Sequence, residues 1–457
     1  MNYFVNMLAL IAFLITSIEA SSVPLNDSDK DEHISAILVS ELLESKTPLK
    51  QESSFASLPF LPQKVLGAIS GIEIGTLTVE LLERGIYFQF QGTRNAGKSS
   101  VIQIENLDKF AVSVATRGEI GLAESYMLKQ WSTSDIRSTM EILKLNADIL
   151  ANKMKPSRFE SFVSKFAVKL YEIATQTSKE KALENLQFNY DLGSKFYSHV
   201  LDESLAYSGA LFDGKNNISL KDAQQLKYNR ILDNLGLNVG DKILDMRCDW
   251  GGFAAAAAAR GYQVVGITPL QEQCDYATQL AKTKGFSDKA TFLFQSYQEV
   301  QEQYDAIVAI EMFEHVGKDN WDNFFKKIYE CLKPGKKAVL QIVFDTEEKD
   351  FEKRIDVVSS NNLYICPDLK LSTATIISKK LKENSLALKS TVRFGKDYAS
   401  TLSCWYENLQ NAWHVINKID GEIYNETFKR CLEYFFSASR AAFIAGSIDV
   451  YQLTVEK

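Results

Sequence analysis

The stretch that most constrains this chain is Ile243-Leu-Asp-Met-Arg-Cys-Asp-Trp-Gly-Gly252. A short apolar strand ends at Asp245, glycines stand at Gly251 and Gly252, and an Ala-rich helix is expected over residues 253–260. Strand, tight loop and helix N-terminus together form the place where a doubly wound α/β sheet receives a nucleotide-like cofactor. Glycine in such a loop permits φ > 0 and lets a ligand touch backbone. Arg247 and Asp249 occupy two loop positions where glycine is expected.

Around this loop, helix and strand alternate. A helix over 224–235 leads into strand 242–245. Strand 263–267, a helix over 271–282, and strands 291–294 and 304–310 come next. A helix over 321–332, a Lys333-Pro334-Gly335 turn and strand 338–344 complete the series. Such a βαβ succession implies a Rossmann-like, mostly parallel sheet with its sites at the strand C-termini.

The N-terminal half reads differently. Residues 60–150 carry strand patterns at 77–81, 85–90, 101–104 and 110–114, then helical patterns at 122–127 and 136–149, which predicts a small α+β domain. Residues 151–188 read as linking helices. Within them Phe159, Phe162, Phe166, Leu170 and Ile173 share one face of a helix over 158–175. Its polar side mixes acidic and basic residues, which favours domain docking over lipid contact.

Gly92-Thr-Arg-Asn-Ala-Gly-Lys-Ser99 satisfies the spacing of a phosphate-binding loop. That motif needs a helix beginning at the Lys, so that backbone N–H groups face the phosphates. Here Val101-Ile-Gln-Ile104 alternates as a strand does, so the segment is expected to connect two strands of a hairpin.

Residues 1–20 contain an almost unbroken apolar run over 5–18, expected to be a secretory signal or an anchor. Export to a secretory or periplasmic compartment follows from the first reading, and a place on the cytoplasmic face of a membrane from the second. Residues 21–59 are polar and read as a flexible linker. A net charge of −7 excludes a general nucleic-acid binder, because there is no basic excess to neutralise phosphates. The six cysteines lack C-x-x-C spacing, so no metal site is expected.

The ordered motifs resemble the cyclopropane-fatty-acyl-phospholipid synthase family of S-adenosylmethionine (SAM)-dependent methyltransferases. They include Tyr190-Asp-Leu-Gly193, Tyr207-Ser208, the Trp250-Gly-Gly252 loop, Gly266-Ile-Thr268 and Glu272-Gln273. Glu311-Met-Phe-Glu-His-Val-Gly317, Asp397-Tyr398 and Trp405-Tyr406 follow, and Gly118-Glu-Ile-Gly-Leu-Ala-Glu-Ser-Tyr-Met127 is similar to the family's small N-terminal domain. The resemblance implies a methyltransferase domain over 189–457 with a helical lid at 373–384 and 402–436. It implies transfer of a methylene from SAM to the cis double bond of a phospholipid acyl chain, and peripheral contact with the membrane that holds that lipid.

By the same resemblance, Tyr207, Ser208, Asp245, Trp250, Gly251, Gly252, Thr268 and Gln273 would bind SAM, with Tyr297 near the adenine. Glu314 and Tyr406 would help to hold a bicarbonate ion, and His315 would order their loop. Several positions depart from the family. Gly209 stands for a bicarbonate-site Cys, Gln341 for a His, Ser439 for a Cys and Leu270 for a Ser. Ser296 replaces an acidic or polar residue, and Asp368-Leu369 replaces a Gly-Gly pair.

Asp249 bears directly on the cofactor. A carboxylate about 4 Å from the methionine carboxylate of SAM would repel it by about 4 kcal/mol at an effective dielectric near 20. Arg247 could neutralise Asp249 or grip the cofactor's carboxylate itself. Two expectations therefore stand side by side: an active lipid-modifying enzyme, and an impaired homologue that binds or scaffolds lipid with weak affinity for SAM.

Overall fold

The computed structural model describes residues 49–154, 192–215, 217–349, 351, 363–365 and 369–457. The apolar N-terminal run, most of the linker and the helix expected over 158–175 lie outside the described residues.

Two sheets organise the chain. The first has five strands: β1 (Lys50–Gln51), β2 (Ile74–Leu81), β3 (Ile86–Gln91), β4 (Arg94–Ile104) and β5 (Trp131–Ser132), in the order β1-β3-β2-β4-β5. Along β2 burial alternates residue by residue, and Leu77, Val79 and Leu81 are almost wholly buried. Helix α1 (Phe60–Ile69) packs in the same core.

The phosphate-loop look-alike is not a hairpin. β3 and β4 lie on opposite sides of β2, antiparallel and parallel to it respectively. The chain crosses at Gly92, where any Cβ would stand 2.3 Å from the Glu73 carbonyl carbon. Gly97 and Lys98 lie inside strand β4, so no helix begins at the lysine to present N–H groups to a phosphate.

The strand expected at 110–114 is also corrected: those residues belong to α2 (Leu107–Met127). Asn106 caps the helix by accepting from the Lys109 amide at 2.9 Å. Leu107, Phe110 and Ala111 then fall on one buried face at helical spacing. Helices α3 (Ile136–Leu145) and α4 (Ala147–Met154) complete this part.

The second sheet has seven strands in the order β11-β12-β10-β9-β6-β7-β8. Strands β6 (Lys242–Asp245), β7 (Gln263–Thr268), β8 (Ala290–Phe294), β9 (Tyr304–Ile310) and β10 (Leu332–Asp345) run parallel. Strands β11 (Ala387–Arg393) and β12 (Ile448–Glu456) add an antiparallel edge that the sequence pattern did not disclose. From β6 the chain runs to β7 on one side and returns to β9 on the other. That makes the β6–β9 boundary the switch point, where a doubly wound sheet opens a crevice.

Among the described residues eight helices flank or cover this sheet: α5 (Gly193–Val200), α6 (Leu220–Leu235), α7 (Gly252–Ala259), α8 (Gln271–Lys284), α9 (Trp321–Cys331), α10 (Ala374–Glu383) and the pair α11 (Gly395–Ile416) and α12 (Glu426–Ala445). The buried alanines Ala254, Ala256, Ala257 and Ala258 let α7 lie close to the strands. Among the described residues no helix is long and apolar enough to cross a membrane.

Candidate functional site at the sheet switch point

Loop 246–251 keeps a ligand-cradling backbone despite its side chains. Gly251 adopts φ +88° and caps α7. A Cβ on Gly252 would meet the Ser204 carbonyl oxygen at 2.7 Å. Asp249 sits at φ +44°, a left-handed conformation that Asp tolerates better than most residues. The glycine-like geometry therefore survives the substitution.

Arg247 answers the charge. Its Nε donates to Asp249 Oδ1 at 3.1 Å, and its Nη1 donates to the Glu311 carbonyl at 3.0 Å. Both side chains of the pair are only 22% exposed. The uncompensated repulsion expected from Asp249 is thus screened within the loop itself.

A pocket of ≈ 290 Å³ opens here, lined by residues that include Ser204, Ser208, Asp245, Arg247, Asp249 and Trp250. Asp245 ends β6 at 1% exposure, and neither of its carboxylate oxygens has a well-formed hydrogen bond. Burial, with Asp249 adding to it, pushes its carboxyl up to about 8. A buried carboxyl without well-formed hydrogen bonds is a place for a ligand's donors. The residues present therefore fit a cofactor that brings an ammonium or hydroxyl groups.

The other expected cofactor residues surround this point. Ser208 Oγ accepts from Lys227 Nζ at 2.7 Å. Thr268 Oγ1 donates to Gln273 Oε1 at 2.7 Å, which leaves the Gln273 amide nitrogen as donor. Tyr207 stacks on Trp405 at 5.1 Å and tilts against Tyr197 at 5.3 Å, while Trp250 continues that wall from Tyr197 to Tyr276. Tyr297 packs edge-on against Phe324, and burial raises its phenol.

A second polar cluster lies at the C-terminal ends of β9 and β10. Glu314 is buried, and its Oε1 accepts from the Val343 amide at 2.5 Å. Its Oε2 lacks a hydrogen bond, and burial together with neighbouring Glu311 raises its carboxyl to about 8. Glu311 collects three donors: the Gly209 amide at 2.9 Å, Gln341 Nε2 at 2.8 Å and the Tyr398 hydroxyl at 2.7 Å. Gln452 holds Gln341 in turn, at 3.0 Å. Burial depresses His315 to about 3, so it is neutral near pH 7.

Tyr406 is the correction. Its ring lies under the Arg137 guanidinium, 4.9 Å from the centroid, and the charges that act on its hydroxyl are Glu433, Arg137 and Asp135. The tyrosine beside Glu311 and Glu314 is Tyr398. Helical geometry explains the swap. Trp405 is seven residues from Tyr398 and shares its face of α11, whereas Tyr406 is turned about 80° away.

Sequence reasoning also missed Lys227 and the role of Glu311. Lys227 is fully buried, and desolvation brings its ammonium down to about 8. It had left a signal: Leu220, Ala223 and Ile231 place it within the apolar stripe of α6. Glu311 had left a fainter one, as the first charged residue after the apolar end of β9.

Residues 177–453 match the family model described as mycolic acid cyclopropane synthetase. The cyclopropane-fatty-acyl-phospholipid synthase of Escherichia coli is 32% identical over 364 residues, covering 79% of this chain and 89% of the relative. This chain belongs to that family of SAM-dependent methyltransferases. The tuberculostearic acid methyltransferase UfaA1 of Mycobacterium tuberculosis is 27% identical, covering 77% of this chain and 82% of the relative. Among solved structures, the cyclopropane synthase MmaA2 from Mycobacterium tuberculosis aligns with a TM-score of 0.55 and 25% identity, over 60% of this chain and 98% of its own. The mycolic acid cyclopropane synthase CmaA1, solved with SAH and CTAB, aligns at 0.54 and 26%, again over 60% of this chain and 98% of its own.

Proposed function

We propose that this protein is a SAM-dependent enzyme that adds a methylene to the cis double bond of an unsaturated phospholipid acyl chain. The observation that carries the reading is the position of Asp245. Its carboxyl, which has no well-formed hydrogen bond, ends β6 at the switch point, before a loop that keeps its cradle and beside an aromatic wall that leads toward the Glu311 cluster.

SAM, when bound, supplies an electrophilic methyl group. Asp245, Ser208, Thr268 and Gln273 would hold its polar parts, and Tyr207, Trp250 and Tyr297 its flat or apolar ones. Trp405 and Tyr398 stand edge to face at 6.2 Å, so aromatic faces line the route to the acids. Such faces stabilise a developing cation and exclude water that would quench it. An acyl chain is presented by a membrane, so the reading includes peripheral membrane contact. It also includes export by the apolar N-terminal run, which N-terminal sequencing of the mature chain tests: an intact Met1 contradicts cleavage.

One observation favours a second reading, an impaired lipid-binding homologue: Arg247 and Asp249 project side chains into the cofactor pocket. Calorimetric titration with SAM separates the two. The enzyme reading predicts micromolar binding by the unaltered chain. Binding that appears only after R247G and D249G together supports the impaired reading instead.

A further inference from the structure

The three donors that converge at the ends of β9 and β10 are already occupied by a carboxylate of the chain itself. Gly209 and Gln341 are the positions that resemble the bicarbonate-site Cys and His of the family. Between them lies the Glu311 side chain, with Gly209 N and Gln341 Nε2 both on Oε1 and the Tyr398 hydroxyl on Oε2. Gln341 Nε2 also reaches the Gly209 carbonyl at 3.1 Å, which ties the cage together.

The substitutions around this point fit one another. A Cβ on residue 209 would stand 2.8 Å from Tyr398 Cδ1, so only glycine leaves room for the ring that reaches Glu311. Glu311 itself adopts φ +49°, a strained conformation for Glu that persists only where surrounding contacts hold it. A free anion offered to this cage would find its donors used and a like charge in its place.

We infer that the Glu311 carboxylate replaces an exogenous bicarbonate as the internal base of the reaction. The inference rests on the alkylation reading above. The alkene π electrons bond to the methyl carbon as its S–C bond breaks, which leaves a cation on the adjacent acyl carbon. Glu311 takes a proton from the new methyl, and the released C–H pair closes the three-membered ring. Glu311, now neutral, returns the proton to solvent.

Two arms test this with the full chain. In the first, [13C]bicarbonate is titrated into the unaltered protein and into E311G, followed by NMR. Glycine suits φ > 0, so E311G is compatible with the loop. Saturable binding is expected only in E311G; binding by the unaltered chain, or none by E311G, overturns the inference. This arm reads no catalysis, so it decides the matter even if the alkylation reading fails.

In the second arm, turnover on unsaturated phospholipid vesicles is measured in CO2-depleted buffer with and without added bicarbonate. The unaltered chain should be indifferent. E311G should fall at least about 100-fold and regain about 10-fold with bicarbonate. E311Q fills the cage with an amide, and should fall equally without regaining activity. Stimulation of the unaltered chain by bicarbonate, or full activity of E311G without it, contradicts the assignment.

Discussion

At the scale of single residues, the site is governed by where charge is held. Glu311 and Glu314 are neighbours in one buried cluster, yet three donors serve the first and the Val343 amide serves the second. Burial raises both carboxyls, and at Glu311 the three donors and nearby Lys227 oppose the rise. Glu314, raised to about 8, keeps its proton in the folded chain and loses it on unfolding near neutral pH. Its contribution to stability is full below the unfolded carboxyl value and is lost as pH rises through about 8. His315 acts oppositely, but its effect ends near its unfolded value of 6.5. Between pH 6.5 and 8 the unaltered chain should therefore lose stability, and E314Q should lose less. Chemical denaturation at both pH values measures the difference, and equal slopes would contradict the raised carboxyl.

Gly209 gives a second test at this scale. G209C forces a Cβ against the Tyr398 ring. Such overpacking costs about 1–3 kcal/mol. Denaturant midpoints should fall accordingly, and the same substitution should cost much less when it is made in a Y398A background. A G209C variant as stable as the parent would show that the ring has room to move.

At the scale of elements, what could be read depended on whether a pattern was local. Strand β9 was read with its full bounds because the unbroken apolar run from Ala306 to Ile310 ends at a charged residue. Phe110-Ala-Val-Ser-Val114 satisfies both a two-residue and a helical period, and the cap at Asn106 decides between them. N106A should therefore destabilise the chain by about 0.5–2 kcal/mol. Circular dichroism and urea melts check it, and an unchanged melt would remove the cap from the explanation. Strand β11 escaped notice because six of its seven residues are exposed, so it carries little apolar pattern.

The candidate site divides along the same line. The Asp245 loop is contiguous in sequence and was legible there. The Glu311 cage joins residues 102 and 87 positions apart, so only the folded sheet and α11 bring them together.

At the scale of the whole molecule, the small N-terminal part and the helical lid are fastened by buried polar contacts. Arg430 Nε donates to the Tyr126 carbonyl at 2.6 Å and Nη2 to the Trp131 carbonyl at 2.8 Å, with its guanidinium 3.8 Å over the Tyr126 ring. The Tyr126 hydroxyl donates to Glu433 Oε2 at 2.9 Å. Removing the charged donor leaves the Tyr126 carbonyl with the Lys129 amide at 3.0 Å and strips the Trp131 carbonyl of its guanidinium donor, so R430M should cost about 1–3 kcal/mol. It should also loosen α12 on α2, read as faster amide exchange at that boundary. Unchanged exchange would mean that packing alone fastens the two parts.

The proposed reaction is alkylation of an acyl double bond with a carbon from SAM. Its most direct measurement supplies CD3-labelled SAM and vesicles of a cis-unsaturated phospholipid to the purified chain, then identifies the lipid product by mass spectrometry and NMR. The expected product is a cyclopropane ring bearing a CD2 group, formed with loss of deuterium to solvent. Folded protein that leaves the lipid unlabelled contradicts it.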